Sequence, residues 1–527
     1  SGLESRYEDV LRGTEGSYLR QVDARNRQLD GTEGWYIPSQ QGCGLVLTID
    51  AEIQEMVEKA MRECIEVNQA QSVICLVSDV KTGAILAMCM NPCYDPNDPP
   101  RNDAETLTEL MRLTAISDVY EPGSTFKILT AASALDSGVT TPQDSFYCSA
   151  KITVDGDTIR CWGRPHGAET MADGLKNSCN PVFVELALRM GTDTFYRYLT
   201  AFGLGKKTGI DLPGESPGIL ITSRNVKRVD LARIGFGQSV ALTPIQMMMA
   251  ANSVINGGKL MKPYIVSEIQ TPDGETLERF HPTVMAAPIR PETSDTMRLL
   301  LERVVSEGGG KNAAIAGYRI GGKTGTAQVY KNGRVVRDTH IGSFYGFAPV
   351  NDPQVSLLVI VKEADVPIDY GGTTAAPFAR QIMQEMLPYL GIEPENDEKD
   401  EEIEVPALKG LTIGDAKRKL SQVGLESVTD GANTVVLDQL PPAGAKLVKG
   451  GHVMLYTAGS EELTPEELVC VPDLTGLGDV DCARLVRQRG LTMSMTGQGL
   501  CTEQSPAAGE YVQPGTTIFL LMAGDDE

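Results

Sequence analysis

Short apolar runs separated by polar turns dominate the middle of the chain. Ser72-Val-Ile-Cys-Leu-Val-Ser78 is apolar over strand length, and Ala84-Ile-Leu-Ala-Met88 follows it after a Lys-Thr-Gly turn, which predicts two strands. Thr125 to Leu135, rich in Ala and Leu, predicts a helix, and Gln354-Val-Ser-Leu-Leu-Val-Ile-Val361 predicts another strand. From about residue 46 to 391 this mixture predicts an α+β fold with an antiparallel sheet and helices. Residues 1–45 are polar and turn-rich, and read as the end of a domain whose beginning lies upstream.

A charged stretch, 392–403, interrupts the pattern, with acidic residues clustered in Glu393-Pro-Glu-Asn-Asp-Glu-Lys-Asp-Glu-Glu402. Such a run is expected to be a solvated linker. Beyond it the chain repeats itself. Val405-Pro-Ala-Leu-Lys-Gly-Leu411 recurs as Val471-Pro-Asp-Leu-Thr-Gly-Leu477, Asp415 matches Asp481, and Gly424-Leu425 matches Gly490-Leu491. After a one-residue gap, Gln439-Leu-Pro441 matches Gln504-Ser-Pro506. Each copy, 404–459 and 469–524, predicts a helix, two or three short strands and a Pro/Gly turn. Small tandem repeats of this kind are commonly binding or spacing modules.

Composition narrows the function. The chain of 527 residues has a formal net charge of −23, which opposes binding to nucleic acid phosphates. No run approaches the ~18 apolar residues that span a bilayer. The 11 cysteines show no CxxC spacing and the 4 histidines no HExxH arrangement, so neither a metal nor a cofactor is expected.

Three short motifs carry chemistry. In Glu121-Pro-Gly-Ser124-Thr-Phe-Lys127 a turn runs directly into the apolar helix. Serine in a first helical turn sits near the positive end of the dipole, and a spacing of three puts Lys127 on its face. A desolvated lysine there is neutral and can take the serine proton. Asn177-Ser178-Cys-Asn180 offers two polar side chains to one cleft, Ser178 to relay a proton and Asn180 to hold a substrate amide. Gly321-Gly-Lys323-Thr324-Gly325-Thr326 precedes a strand, with glycines that admit a substrate backbone and Lys323, Thr324 and Thr326 to receive a carboxylate. Each motif has decoys: Ser78-Asp-Val-Lys81, Ser223-Arg-Asn225, and Lys-Thr-Gly at 81 and 207. The decisive feature is their order: helix, loop, strand, at Ser124, then 54 residues to Ser178 and 145 more to Lys323.

That set matches the known motifs of penicillin-binding proteins and class A β-lactamases. Residues 46–391 resemble the transpeptidase domain of class B penicillin-binding proteins. Leu45-Val-Leu-Thr-Ile-Asp50, Thr82-Gly-Ala-Ile-Leu-Ala-Met88, Asn91-Pro92, Gly235-Phe-Gly-Gln238, Thr243-Pro-Ile-Gln246 and Gly342-Ser-Phe-Tyr-Gly-Phe-Ala-Pro349 carry the resemblance further. Leu11-Arg-Gly-Thr-Glu-Gly16 is similar to the end of that family's N-terminal pedestal, a dimerisation domain. The repeats resemble PASTA domains. Tyr370-Gly-Gly and Leu387-Pro-Tyr-Leu-Gly-Ile-Glu-Pro394 are most like the sporulation-specific branch of the family.

The resemblance implies a serine D,D-transpeptidase that cross-links peptidoglycan stem peptides ending in D-Ala-D-Ala, in spore cortex or septal wall, and that β-lactams acylate. It implies Ser124 as nucleophile and Lys127 as base. Ser178, Asn180 and Lys323 would be further catalytic residues, with Thr324, Gly325 and Thr326 binding substrate. The backbone N–H groups of Ser124 and Thr326 would form an oxyanion hole. It also implies an upstream single-pass membrane anchor, an extracytoplasmic catalytic domain and a membrane glycosyltransferase partner of the SEDS type. A β-lactamase or D,D-carboxypeptidase would share the motifs, but the length, repeats and pedestal oppose it. A non-catalytic β-lactam sensor is opposed by the intact motifs. In an extracytoplasmic hairpin, Cys148 and Cys161 are open to being either a disulfide or two free thiols. Cys179 is expected to point away from the cleft.

Overall fold

The computed structural model describes residues 2–523 apart from 26, 28–34, 164, 332–333, 395–401, 430–434, 457–468, 473, 498, 507, 509–510 and 513–515. Most of the acidic stretch 392–403 lies outside the described residues. The chain forms two compact units, Ser1–Lys399 and Asp400–Glu527. No helix among the described residues is long and apolar enough to cross a membrane.

The first unit is built on a five-stranded sheet. Its strands are β1 (Ala70–Asp79), β2 (Ile85–Asn91), β3 (Gly321–Lys331), β4 (Arg334–Ala348) and β5 (Val355–Ala364), ordered β3-β4-β5-β1-β2. All four pairings are antiparallel, as the sequence predicts. β1 and β5 are central and covered on both faces, which is why their sequences are continuously apolar rather than alternating.

Two cores follow from the two faces. On one, α1 (Ala51–Asn68) and the late helix Ala376–Tyr389 pack against Val73, Cys75, Val77, Leu357 and Val359. On the other, Ile74, Leu76, Leu358 and Ile360 meet an all-helical layer made of α2 (Lys127–Asp136), α3 (Asn180–Ala201), α4 (Pro244–Ile255) and α5 (Pro291–Ser306). α4 is buried along its whole length, so its run Met247-Met-Met249 is core, not surface. Its start is set by Thr243 and Gln246, which bond each other's backbone N–H in a reciprocal cap behind Pro244.

The Lys-Thr-Gly at 81–83 is the tight turn between β1 and β2, and the copy at 207–209 is loop. Ser78 lies in β1 while Lys81 pairs with Asp352 at 2.6 Å on the surface, so that decoy motif is taken apart.

In the second unit the repeats have matching architecture. A helix (Ile413–Gln422, then Asp479–Gln488) precedes a three-stranded sheet, whose last strand (His452–Tyr456, then Thr517–Ala523) pairs parallel with the first (Glu426–Thr429, then Thr492–Gly497) and antiparallel with the second (Asp438–Leu440, then Leu500–Ser505). The repeated glutamine explains part of the sequence match. Gln439 Oε1 accepts from Leu408 N at 2.7 Å and its Nε2 donates to Pro406 O at 3.0 Å. Gln504 does the same with Leu474 N at 2.7 Å and Pro472 O at 3.0 Å.

Candidate active site

The helix expected from Thr125 begins as a 3₁₀ turn, Gly123–Phe126, that passes into α2 at Lys127. With three residues per turn, side chains at i and i+3 eclipse, so Ser124 and Lys127 are stacked directly. Lys127 Nζ lies 3.1 Å from Ser124 Oγ.

Lys127 is fully buried. Its Nζ also reaches Ser178 O at 2.6 Å, Ser178 Oγ at 3.2 Å and Asn180 Oδ1 at 2.7 Å, and it lies 5.4 Å from the Phe183 ring centroid. Burial pushes its pKa down to about 7, against smaller opposing effects of Cys161, Cys179 and Glu169. A neutral amine has a lone pair to accept the hydroxyl proton of Ser124, which an ammonium lacks.

Ser178 sits in the bend between the helix Met171–Lys176 and α3, with a left-handed φ of 55°. That backbone is sparsely populated by non-glycine residues and is a mark of functional sites. Asn180 opens α3, and its Nδ2 donates to Arg160 O at 3.0 Å.

The third motif arrives on β3. Lys323 is fully buried, with Nζ donating to Ser178 Oγ at 3.0 Å and to Thr324 O at 3.0 Å. Burial, followed by the charge of Lys127, pushes its pKa well below the usual lysine range. β3 passes against the serine turn at backbone distance. A Cβ on Gly123, whose φ is +54°, would stand 2.7 Å from Thr326 O, and one on Gly325 would meet Ser343 Oγ at 2.3 Å and Thr125 Cγ2 at 3.0 Å. Thr326 Oγ1 accepts from Gly371 N at 3.4 Å.

All of the sequence-derived candidates on the three motifs are thus assembled around one another. Several neighbours escaped the sequence reading. Gly237 holds the serine turn from behind, its carbonyl accepting from Gly123 N at 3.0 Å. Glu121 Oε1 accepts from Ser239 N at 2.9 Å. In the sequence the stretch Gly235–Gln238 stands out only through resemblance, and its contact with Ser124's own turn is a tertiary fact.

Cys179 and the Cys148–Cys161 pair share one setting. Cys179 does turn away from Ser124, but into a cluster, with its thiol beside those of Cys148 and Cys161 and the ring of His166. Their four donor atoms lie within 4.8 Å of one another, and the three cysteines are unbridged. The linear spacing therefore hid a metal-compatible donor set. Cys148 and Cys161 do meet across the hairpin's open end, as free thiols rather than as a disulfide.

The fold and this site define a penicillin-binding transpeptidase, and comparison with known proteins agrees. The chain belongs to the penicillin binding protein transpeptidase domain family, whose model matches residues 73–384, and PASTA domain models match 403–459 and 469–524. It is similar to stage V sporulation protein D of Bacillus subtilis, 37% identical over 472 residues, covering 88% of this chain and 72% of that protein. It is 30% identical to peptidoglycan D,D-transpeptidase FtsI of Escherichia coli over 395 residues, 75% of this chain and 64% of that protein. The solved structure of penicillin-binding protein 3 from Mycobacterium tuberculosis complexed with ampicillin matches with a TM-score of 0.66 at 27% identity, covering 75% of this chain and 85% of that one.

Proposed function

We propose that the chain is a serine D,D-transpeptidase that cross-links peptidoglycan stem peptides through an acyl-enzyme on Ser124. The observation that carries this reading is the fully buried Lys127 amine 3.1 Å from Ser124 Oγ, with no histidine in that pair. Ser124 Oγ attacks the carbonyl carbon between the two terminal D-alanines while its proton passes to Lys127 Nζ. The oxyanion is received by the backbone N–H groups of Ser124 and Thr326, which the close approach of β3 to the serine turn favours.

The C–N bond then breaks. The proton is delivered to the departing D-alanine amine, with Ser178 as relay between Lys127 and the leaving group. An amine of a second stem peptide attacks the ester carbonyl, the Ser124 C–O bond breaks, and the proton returns to Oγ. Lys323, Thr324 and Thr326 receive the terminal carboxylate, Gly325 lets the peptide lie along β3, and Asn180 holds its amide. A β-lactam enters the same sequence, but its amine stays tethered, so the ester persists.

In this reading residues 1–45 end a pedestal, 46–391 are catalytic, 392–403 link, and 404–459 and 469–524 are PASTA modules. Similarity to a sporulation protein supports a role in cortex or septal wall. A membrane anchor upstream and a SEDS-type glycosyltransferase partner belong to the same reading.

Incubation with a fluorescent penicillin, followed by peptide mass spectrometry, tests it. A stable adduct on Ser124, lost in Ser124→Ala, is expected. Folded protein without label would refute the catalytic assignment, and rapid penicillin consumption without label would make the protein a hydrolase.

A further inference from the structure

We infer that Cys148, Cys161, Cys179 and His166 form a closed tetrahedral zinc site that fastens the Ser178 turn from behind. Four elements bring the donors together. Cys148 ends the strand Ser145–Cys148 and pairs in register with Gly167, which puts His166 at its side. Cys161 follows the hairpin Lys151–Val154/Asp157–Arg160, with its N–H donating to Ala150 O at 2.8 Å. Cys179 is the residue before α3, between Ser178 and Asn180, and its N–H donates to Gly174 O at 2.8 Å.

The distances suit a metal better than any pairwise chemistry. Zinc bonds of about 2.3 Å to sulfur and about 2.0 Å to nitrogen set donor–donor edges of about 3.5–3.8 Å in a tetrahedron. The four donors already lie within 4.8 Å, and Cys161 Sγ is 3.9 Å from His166 Nδ1. A disulfide would use two thiols and strand the third thiol and the imidazole, whereas one metal uses all four.

Three sulfurs and one imidazole are a soft set that selects zinc over calcium or magnesium, and four protein ligands leave no open position for catalysis. The site is therefore structural. Cys148 and Cys179 are buried, and Cys161 and His166 half-buried. Glu169 is buried beside the cluster, with its Oε2 accepting from Asn177 Nδ2 at 3.1 Å and its Oε1 lying 3.7 Å from His166 Nδ1.

Binding replaces three S–H protons with one Zn²⁺, releasing three protons and leaving a complex of net charge −1. Because Cys179 is flanked by Ser178 and Asn180, the metal would hold the φ 55° backbone at Ser178 in place.

The full chain, purified in reductant without chelator, is expected to carry about one zinc by elemental mass spectrometry. His166→Ala and Cys179→Ser are expected to weaken zinc binding at least about tenfold. Should a variant fail to fold, the wild-type chain decides: chelation followed by Co²⁺ should give the intense visible bands and thiolate charge-transfer absorption of a tetrahedral sulfur-rich site. Wild-type protein that holds no zinc and takes up no cobalt, with three alkylatable thiols or a Cys148–Cys161 bridge, overturns the inference. Undiminished zinc binding in both folded variants overturns it too. Penicillin labelling of Ser124 is a separate readout, so loss of the metal site and loss of the catalytic reading are told apart.

Discussion

Lys127 and Lys323, 196 positions apart in the chain, converge on one atom: their Nζ atoms stand 3.2 and 3.0 Å from Ser178 Oγ. Two ammonium groups sharing one buried hydroxyl would repel, and desolvation disfavours charge on both, so the site stores few protons at neutral pH. With Lys127 poised at about 7, the base form prevails only above that pH. Acylation of Ser124 by penicillin should rise with pH through about 7 and then level. Stopped-flow acylation at fixed ionic strength reads this, and a flat profile from pH 5.5 to 9, taken as about one unit or more either side of the poise, would show that Lys127 is not the base.

Removing that base should be severe. Lys127→Met is expected to slow acylation by about 10²–10⁴-fold, the usual worth of a positioned general base. Second-order labelling rates check it, and a variant within a few-fold of wild type would move the role elsewhere.

Ser178→Ala deletes the shared acceptor. Each buried amine loses one hydrogen bond of about 0.5–1.5 kcal/mol, about 1–3 kcal/mol together, so the acylation rate should fall by about 5–10²-fold. Lys127 keeps Ser124 Oγ, the backbone oxygen of position 178 and Asn180 Oδ1, and Lys323 keeps Thr324 O, so the fold should survive and circular dichroism should be unchanged.

Gly325→Ala tests the approach of β3 to the serine turn. The added carbon would sit 2.3 Å from Ser343 Oγ and 3.1 Å from Pro122 O. Overpacking of about 1–3 kcal/mol is expected, with a lower melting temperature and loss of penicillin labelling together. An unperturbed melting curve would show that the strand has room to move.

Gln439→Ala acts in the other unit. It leaves Leu408 N, a buried donor, without its partner, at a cost of about 1–3 kcal/mol. Calorimetry of the full chain should show a transition moved down while Ser124 labelling is unchanged.

Much of this was legible in the linear pattern. Continuous apolar runs marked β1 and β5 because both faces of those strands are covered. The i, i+3 spacing placed Ser124 beside Lys127 because a single turn of backbone fixes that pair locally. The repeat offset exposed the two small modules, since Gln439 and Gln504 serve the same short loop in each. Motif order separated Lys323 from its decoys at 81 and 207, because only it lies on a strand that reaches the serine.

What the sequence by itself determined, then, was every feature set by neighbours a few residues away: strands, helices, the stacked Ser124–Lys127 pair and the tandem repeats. Tertiary structure alone decided which distant groups share a volume. Lys127 has a depressed pKa because Phe183 and the Ser178 turn shut out water around it, and no local spacing encodes desolvation. The thiols of Cys148, Cys161 and Cys179 lie 13 to 31 residues apart in sequence and meet with His166 only because a paired strand, a hairpin and the start of α3 end at the same point. Ligand geometry depends on where chain segments cross, and crossing points are a property of packing.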